Sequence, residues 1–234
     1  MITVTERGNG RPVLVLHGGG GPGTVEPWAD HLAATAGVRV LTPYHPGFGG
    51  TDRPDDLATI AGLADRYVAL LDERDLDDVT VVGNSIGGWI AAEMAVRNPR
   101  RVRGYVLVDA VGIEVPGHPV ADFFNLTMPE VARLSYHDPS AMRPGDPAVM
   151  AGNRAALEAY AGTGMTDPTL AGRLASVTTP TLVVWGEADR IVDPDYGRAY
   201  AAAIPGAEFL LLPETGHLPQ IESPEALADA VTKW

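Results

Sequence analysis

Ser85 stands in Gly83-Asn84-Ser85-Ile86-Gly87, a G-x-S-x-G pattern that follows the apolar run Val79–Val82 and leads into Gly88-Trp89-Ile90-Ala91-Ala92-Glu93-Met94. A serine on a sharp turn between strand and helix is forced into an unfavourable backbone conformation, with its hydroxyl projecting above the sheet edge. Glycines flank it because side chains there would collide with the neighbouring strand or helix. The chemistry such a serine offers is attack on a carbonyl, with the Ile86 N–H at the helix N-terminus placed to receive the developing oxyanion. The chain holds 27 glycines, so the pattern gains meaning only with partners. One partner is His17-Gly18-Gly19-Gly20-Gly21-Pro22-Gly23, directly after Val13–Leu16. Its exposed backbone N–H groups suit a second oxyanion donor; Gly19 is the first choice and Gly20 the next. Gly18, Gly20 and Gly23 also satisfy the dinucleotide fingerprint G-x-G-x-x-G, which needs an acidic residue at the end of the following strand. That strand ends Leu41-Thr42-Pro43-Tyr44, with no carboxylate, and Pro22 interrupts the supposed turn. No nucleotide or other cofactor is expected.

A serine nucleophile needs a base, and the base an orienting acid. His217 lies in Glu214-Thr215-Gly216-His217-Leu218-Pro219, after the apolar run Glu208–Leu212. Asp189 lies in Gly186-Glu187-Ala188-Asp189-Arg190, just past Thr181–Trp185. Ser85, Asp189 and His217 each follow a strand-like run, in the chain order of a nucleophile–acid–base triad. Asp109, after Val102–Val108, is a rival acid, and Asp193 a weaker one. His17 is expected to hold the glycine loop, and His31, His45, His118 and His137 show no partner pattern.

Short runs rich in Val and Leu (Val13–Leu16, Val38–Leu41, Val79–Val82, Val102–Val108, Thr181–Trp185, Glu208–Leu212) fit strands buried on both faces of a parallel sheet. Helical spacing over Ile60–Arg74, Gly88–Arg97 and Pro224–Lys233 alternates with them, which indicates βαβ units. Residues 112–172 contain no strand-like run, and strands resume afterwards. That stretch reads as a helical insertion, with a core of 1–111 and 173–234.

With 234 residues, 45% hydrophobic and 20% charged, the composition is globular. The absence of cysteine removes disulfides, thiol nucleophiles and cysteine metal sites. A formal charge of −13 argues against nucleic acid. No apolar run is long enough to span a membrane and the N-terminus lacks a signal peptide, so a cytoplasmic protein is expected, as monomer or homodimer. No histidine pair has helical zinc spacing, and no metal is expected.

These residues resemble the α/β-hydrolase superfamily over nearly the whole chain. Pro46-Gly47-Phe48-Gly49-Gly50-Thr51-Asp52 resembles its G-x-G-x-[ST] loop, Thr178–Asp189 the strand leading to its acid, and Gly216–Glu222 its histidine loop. Within the superfamily, the glycine loop and Gly-Asn-Ser-x-Gly-Gly elbow resemble carbon–carbon bond hydrolases of aromatic ring cleavage, where the residue matching Asn84 helps shape the site. Leu218 departs from the Trp often found there. Tyr44 replaces a common Asp and reads as structural. Only Ile2–Glu6 precedes the glycine-loop strand, so the family's first strand is expected to be missing.

The resemblance implies a short helical cap over Ser85, with Phe123, Phe124, Met128, Tyr136 and Met142 lining the pocket beside Gly20, Asn84 and Leu218. It implies hydrolysis of a small, mostly apolar ester or related carbonyl substrate through an acyl-enzyme. Cleavage of a vinylogous ketone, cofactor-free lyase or isomerase chemistry, and a hydrolase-like ligand-binding protein are the alternatives.

Overall fold

The computed structural model describes residues 2–143 and 145–234. Among the described residues seven strands form one sheet: β1 (Val4–Arg7), β2 (Pro12–Leu16), β3 (Arg39–Pro43), β4 (Val79–Asn84), β5 (Val102–Val108), β6 (Thr181–Gly186) and β7 (Glu208–Leu212). Their spatial order is β1-β3-β2-β4-β5-β6-β7, and every pairing is parallel except β1 with β3. The order reverses between β2 and β4, the place where open α/β sheets put their ligand sites, beyond the C-terminal ends of the strands. Among the described residues no strand precedes β1, and Ile2–Glu6 supplies most of that antiparallel edge strand.

The described residues also form nine helices: α1 (Glu26–Ala36), α2 (Ile60–Glu73), α3 (Ile86–Val96), α4 (Met128–Ser135), α5 (Pro147–Ala161), α6 (Leu170–Leu174), α7 (Pro194–Ala202), α8 (Pro219–Glu222) and α9 (Pro224–Lys233). Period-two alternation divides the strand side chains between two faces. Val13, Val15, Val82, Val106 and Val184 pack beneath α1 and α9, with Trp28 and Leu227. Leu14, Leu16, Val81, Leu107 and Val183 pack on the other face with α2, α3 and α7, around Tyr67, Trp89 and Tyr200. Helix α3 is buried on nearly all sides, which explains why Ile90, Ala91, Ala92 and Met94 carry no amphipathic stripe.

Between β5 and β6 the chain leaves the sheet through α4, α5 and α6. Among the described residues it touches strand-like geometry there at a single Gly112–Thr166 bridge. Ala156, Leu157, Tyr160 and Ala161 of α5 belong to the same apolar cluster as the sheet's second face. At the exit of this segment Arg173 binds the buried Glu93 carboxylate of α3 at 2.6 and 2.9 Å, and Arg97 reaches Glu93 at 2.9 Å. A carboxylate buried this deeply is tolerable because two guanidiniums meet it; they hold it below its ordinary range against the opposing pull of burial.

Candidate active site

Ser85 is the residue between β4 and α3, with φ 57° and ψ −118°. A non-glycine residue there is strained, and such strain persists only where surrounding packing fixes it. The packing is visible at the two flanking glycines. A Cβ on Gly83 would lie 2.2 Å from the Gly87 carbonyl oxygen, and one on Gly87 would lie 2.2 Å from the Leu16 carbonyl oxygen. Serine at a helix N-cap ordinarily spends its hydroxyl on the helix N–H groups. Here the side chain makes no capping hydrogen bond, and Ser85 remains partly exposed while all its neighbours from Val79 to Ala95 are buried.

The glycine loop lies directly alongside. Ser85 Cβ is 3.1 Å from the position of a Cβ on Gly18. A turn closed by Gly21 N–H donating to Gly18 O (3.0 Å) orients the loop. Two buried histidines hold it from behind. His45 N–H donates to His17 Nε2 at 3.1 Å, and His45 Nε2 lies 2.8 Å from His17 O. His17 therefore has the loop-holding role expected of it, whereas His45 is a partner that sequence reading missed. Ile86 opens α3, where the first N–H groups of a helix have no intrahelical acceptor.

On the other side, His217 Nδ1–H donates to Asp189 Oδ2 at 2.7 Å, with both residues buried. Asp189 Oδ1 accepts the N–H groups of Ile191 (2.8 Å) and Val192 (3.2 Å), which fix its carboxylate. Asn84 connects the two halves: its Nδ2 donates to His217 O at 3.0 Å, and its Oδ1 accepts from Gln220 Nε2 at 3.1 Å. Among the described residues no hydrogen bond joins Ser85 Oγ to His217, so the structure brings Asp189 and His217 together and ties them to Ser85 through its neighbour.

The rival acids separate. Asp193 caps α7 through Tyr196 N–H at 2.9 Å and pairs with His118 at 2.8 Å, away from His217. Asp109 lies beside the pair, all three residues offering atoms within 4.8 Å of one another. That cluster has the donor types of a metal site, but the 2.7 Å separation of Asp189 and His217 is a hydrogen bond already occupied by a proton.

The segment between β5 and β6 is bonded to the histidine and acid loops. Ser135 O accepts His217 N–H at 2.7 Å, and Leu134 O accepts Arg190 N–H at 3.0 Å. Glu222 accepts three backbone N–H groups: Gly216 (2.8 Å), His137 (3.1 Å) and Asp138 (3.0 Å). The end of α4 is thus stapled to both the histidine loop and the acid loop. Tyr136 is buried against Gly216, its Cα 2.8 Å from where a Cβ would sit. Phe123 and Phe124 meet edge to face, half-buried under Arg154. Met142 and Leu218 are half-buried, and Met128 is 41% exposed at the start of α4.

Two residues that sequence reading overlooked reach the glycine loops. Asn153 Nδ2 donates to Gly20 O at 3.0 Å, while its Oδ1 accepts Gly49 N–H at 2.8 Å. Leu157 Cδ2 lies 2.8 Å from the position of a Cβ on Gly19, so it roofs the expected oxyanion donor. Asn153, Ala156, Leu157 and Tyr160 are spaced i, i+3, i+4, i+7, the mark of a buried helix face. Tyr44, at the unexpected position after β3, donates to Glu26 Oε1 at 2.7 Å, a structural bond.

This elbow, glycine loop and acid–histidine pair sit on a sheet whose family is shown directly by comparison. The chain belongs to the alpha/beta hydrolase family, whose model matches residues 13–230. It is 30% identical to a 2-hydroxymuconate semialdehyde hydrolase of Pseudomonas putida, over 98% of this chain and 88% of that one. Among solved structures it resembles a mutant of the meta-cleavage product hydrolase CumD with a TM-score of 0.83 at 21% identity, covering 99% of this chain and 93% of that one. A thermophilic esterase from Thermogutta terrifontis matches with a TM-score of 0.76 at 27% identity, covering 100% and 92%.

Proposed function

We propose that the protein hydrolyses a small, mostly apolar ester or related carbonyl compound through an acyl-enzyme on Ser85. The observation that carries this reading is the uncapped hydroxyl of a strained Ser85, tied through Asn84 to a histidine whose Nδ1–H is already given to Asp189. With Nδ1 protonated, the other ring nitrogen is the basic one and accepts the Ser85 proton as Oγ attacks the carbonyl carbon. Asp189 keeps that tautomer and stabilises the imidazolium. The N–H groups of Ile86 and Gly19 receive the oxyanion. The imidazolium then gives its proton to the departing alcohol, and water repeats the sequence to release the acid. Leu157 above Gly19 favours a short acyl group.

A second reading is hydrolysis of a vinylogous ketone, favoured by the 30% identity to a 2-hydroxymuconate semialdehyde hydrolase and by Asn84 in the elbow. Leu218, in place of the Trp often found after the histidine in that group, weighs against it. Turnover of p-nitrophenyl acetate and butyrate, measured beside 2-hydroxymuconate semialdehyde, separates the two. The ester reading expects the higher kcat/KM on the esters, and loss of turnover in Ser85→Ala on all three compounds. Preference for the semialdehyde would replace the first reading with the second, and undiminished turnover by Ser85→Ala would defeat both.

A further inference from the structure

Asp109 is a buried acid that the reaction above leaves unused. It follows β5 with φ 46° and is fully buried. Its Oδ1 accepts Gly186 N–H at 2.8 Å, but its Oδ2, equally buried, meets no donor among the described residues. An unsatisfied carboxylate oxygen in such a place is costly. Its neighbour Asp189 is differently served, with Oδ1 taking two backbone N–H groups and Oδ2 the His217 ring N–H. Atoms of the two carboxyls and of the imidazole lie within 4.8 Å of one another. Two carboxyls this close, shut away from water, do not both ionise, and the proton goes to the one with fewer donors.

We propose that Asp109 is a neutral carboxylic acid whose Oδ2–H donates to the Asp189 carboxylate, making it a positioning residue that holds Asp189 against His217. The role in positioning rests on the Ser85–His217–Asp189 reading; the protonation of Asp109 does not. Burial, and after it the Asp189 charge, pushes the Asp109 carboxyl well above the usual carboxylate range, with the Gly186 N–H opposing. The titratable groups facing it are Asp189 from the β6–α7 loop and His217 and Glu222 from the segment after β7. The flanking strands β4 and β6 contribute no ionisable side chain.

Asp109→Asn is the informative variant. Its amide presents an N–H to Asp189 and an oxygen to Gly186, and asparagine tolerates the left-handed backbone. Asp109→Gly removes the donor without adding backbone strain. Carbon NMR of protein labelled at aspartate carboxyls should show a protonated carboxyl at pH 7 that is missing from Asp109→Asn. The low-field proton resonance of His217 Nδ1–H should survive in Asp109→Asn and shift or broaden in Asp109→Gly. Misplacing Asp189 in Asp109→Gly should lower kcat by about 100-fold with KM little changed, against about threefold for Asp109→Asn.

Stability supplies an independent sign. The folded carboxyl holds its proton above the ordinary value of 3.8, so its favourable contribution is present below that pH and is lost as pH rises. Asp109→Asn should therefore gain stability over the wild type as pH rises, and the gap should close in acid. Ionised aspartates throughout the wild type at pH 7 would overturn the proposal, as would an Asp109→Gly variant with an unchanged His217 resonance. Failure of Ser85 to react with a serine-directed reagent would count against the hydrolase reading alone, leaving the carboxyl signal to decide the protonation.

Discussion

Two histidine sites flank Ser85, and they are built in opposite ways. Behind the glycine loop, His17 and His45 pack with ring centroids 3.8 Å apart and planes tilted by 33°, both fully buried. Backbone carbonyls only accept, so His17 must donate Nδ1–H to Gly18 O (2.8 Å) while its Nε2 accepts His45 N–H. By the same logic His45 donates Nε2–H to His17 O and accepts the Tyr67 hydroxyl proton at Nδ1 (2.5 Å). All four ring nitrogens are consumed. Burial holds His17 down to about 4 and His45 well below its ordinary value, the latter further lowered by His17. At the other site, His217 commits Nδ1 to Asp189 and makes no second ring hydrogen bond among the described residues. A histidine with both nitrogens engaged is a strut, whereas one with a nitrogen unengaged keeps the capacity the proposed base requires.

The largest effect should come from removing the proposed base. His217→Ala is expected to lower kcat on a short ester by about 10⁴-fold, because triad members act as a unit. Thermal unfolding should show the variant still folded, which separates lost chemistry from lost structure. Next comes the pH dependence of stability at the strut. His17 titrates near 4 when folded and at 6.5 when unfolded, so its contribution is intact above pH 6.5 and drains as pH falls toward 4. The shift corresponds to roughly 3 kcal/mol. Urea unfolding between pH 7 and 4.5 should show this slope, and His17→Gln should make it shallower, leaving the part that His45 contributes.

Replacing His45 with Phe keeps a planar aromatic ring but orphans His17 O and the Tyr67 hydroxyl. It should destabilise the fold by about 2 kcal/mol and lower kcat only modestly, through the loop carrying Gly19. A fully stable His45→Phe protein with activity as low as His217→Ala would break the division between strut and base. The smallest effect is expected at the staple. Glu222→Gln keeps one acceptor oxygen, enough for the Gly216 and His137 N–H groups, but turns its NH2 toward the Asp138 N–H and loses the charge, at a cost of about 1 kcal/mol. Its kcat should fall a few fold with the pH profile unchanged.

The contrast between these sites also marks what the sequence made legible. The strained turn at Ser85 and the hydrogen-bonded Asp189–His217 pair were legible because each residue follows an apolar run, and a turn at a strand end is a local signal. His17 was read as holding the glycine loop, but the other struts were hidden because their partners come from afar. His45 meets Tyr67 twenty-two positions on, and Gly49 meets Asn153 across 104. A spacing rule has no reach over such distances. Strand β1 was missed for another reason: Val4-Thr5-Glu6-Arg7 pairs on one edge only and carries no apolar run. In the segment between β5 and β6, apolar content offered pocket candidates without their direction. Tyr136 lies against the histidine loop, whereas Met128 stands exposed at the head of α4.

The central claim is that Ser85 is an activated nucleophile with His217 as its base, and intact-mass detection of fluorophosphonate labelling tests it most directly. A single covalent adduct on the wild type, lost in Ser85→Ala and in His217→Ala but retained in His45→Phe, is the predicted result. A folded wild-type protein that resists the reagent, or one labelled equally well without His217, would contradict the account.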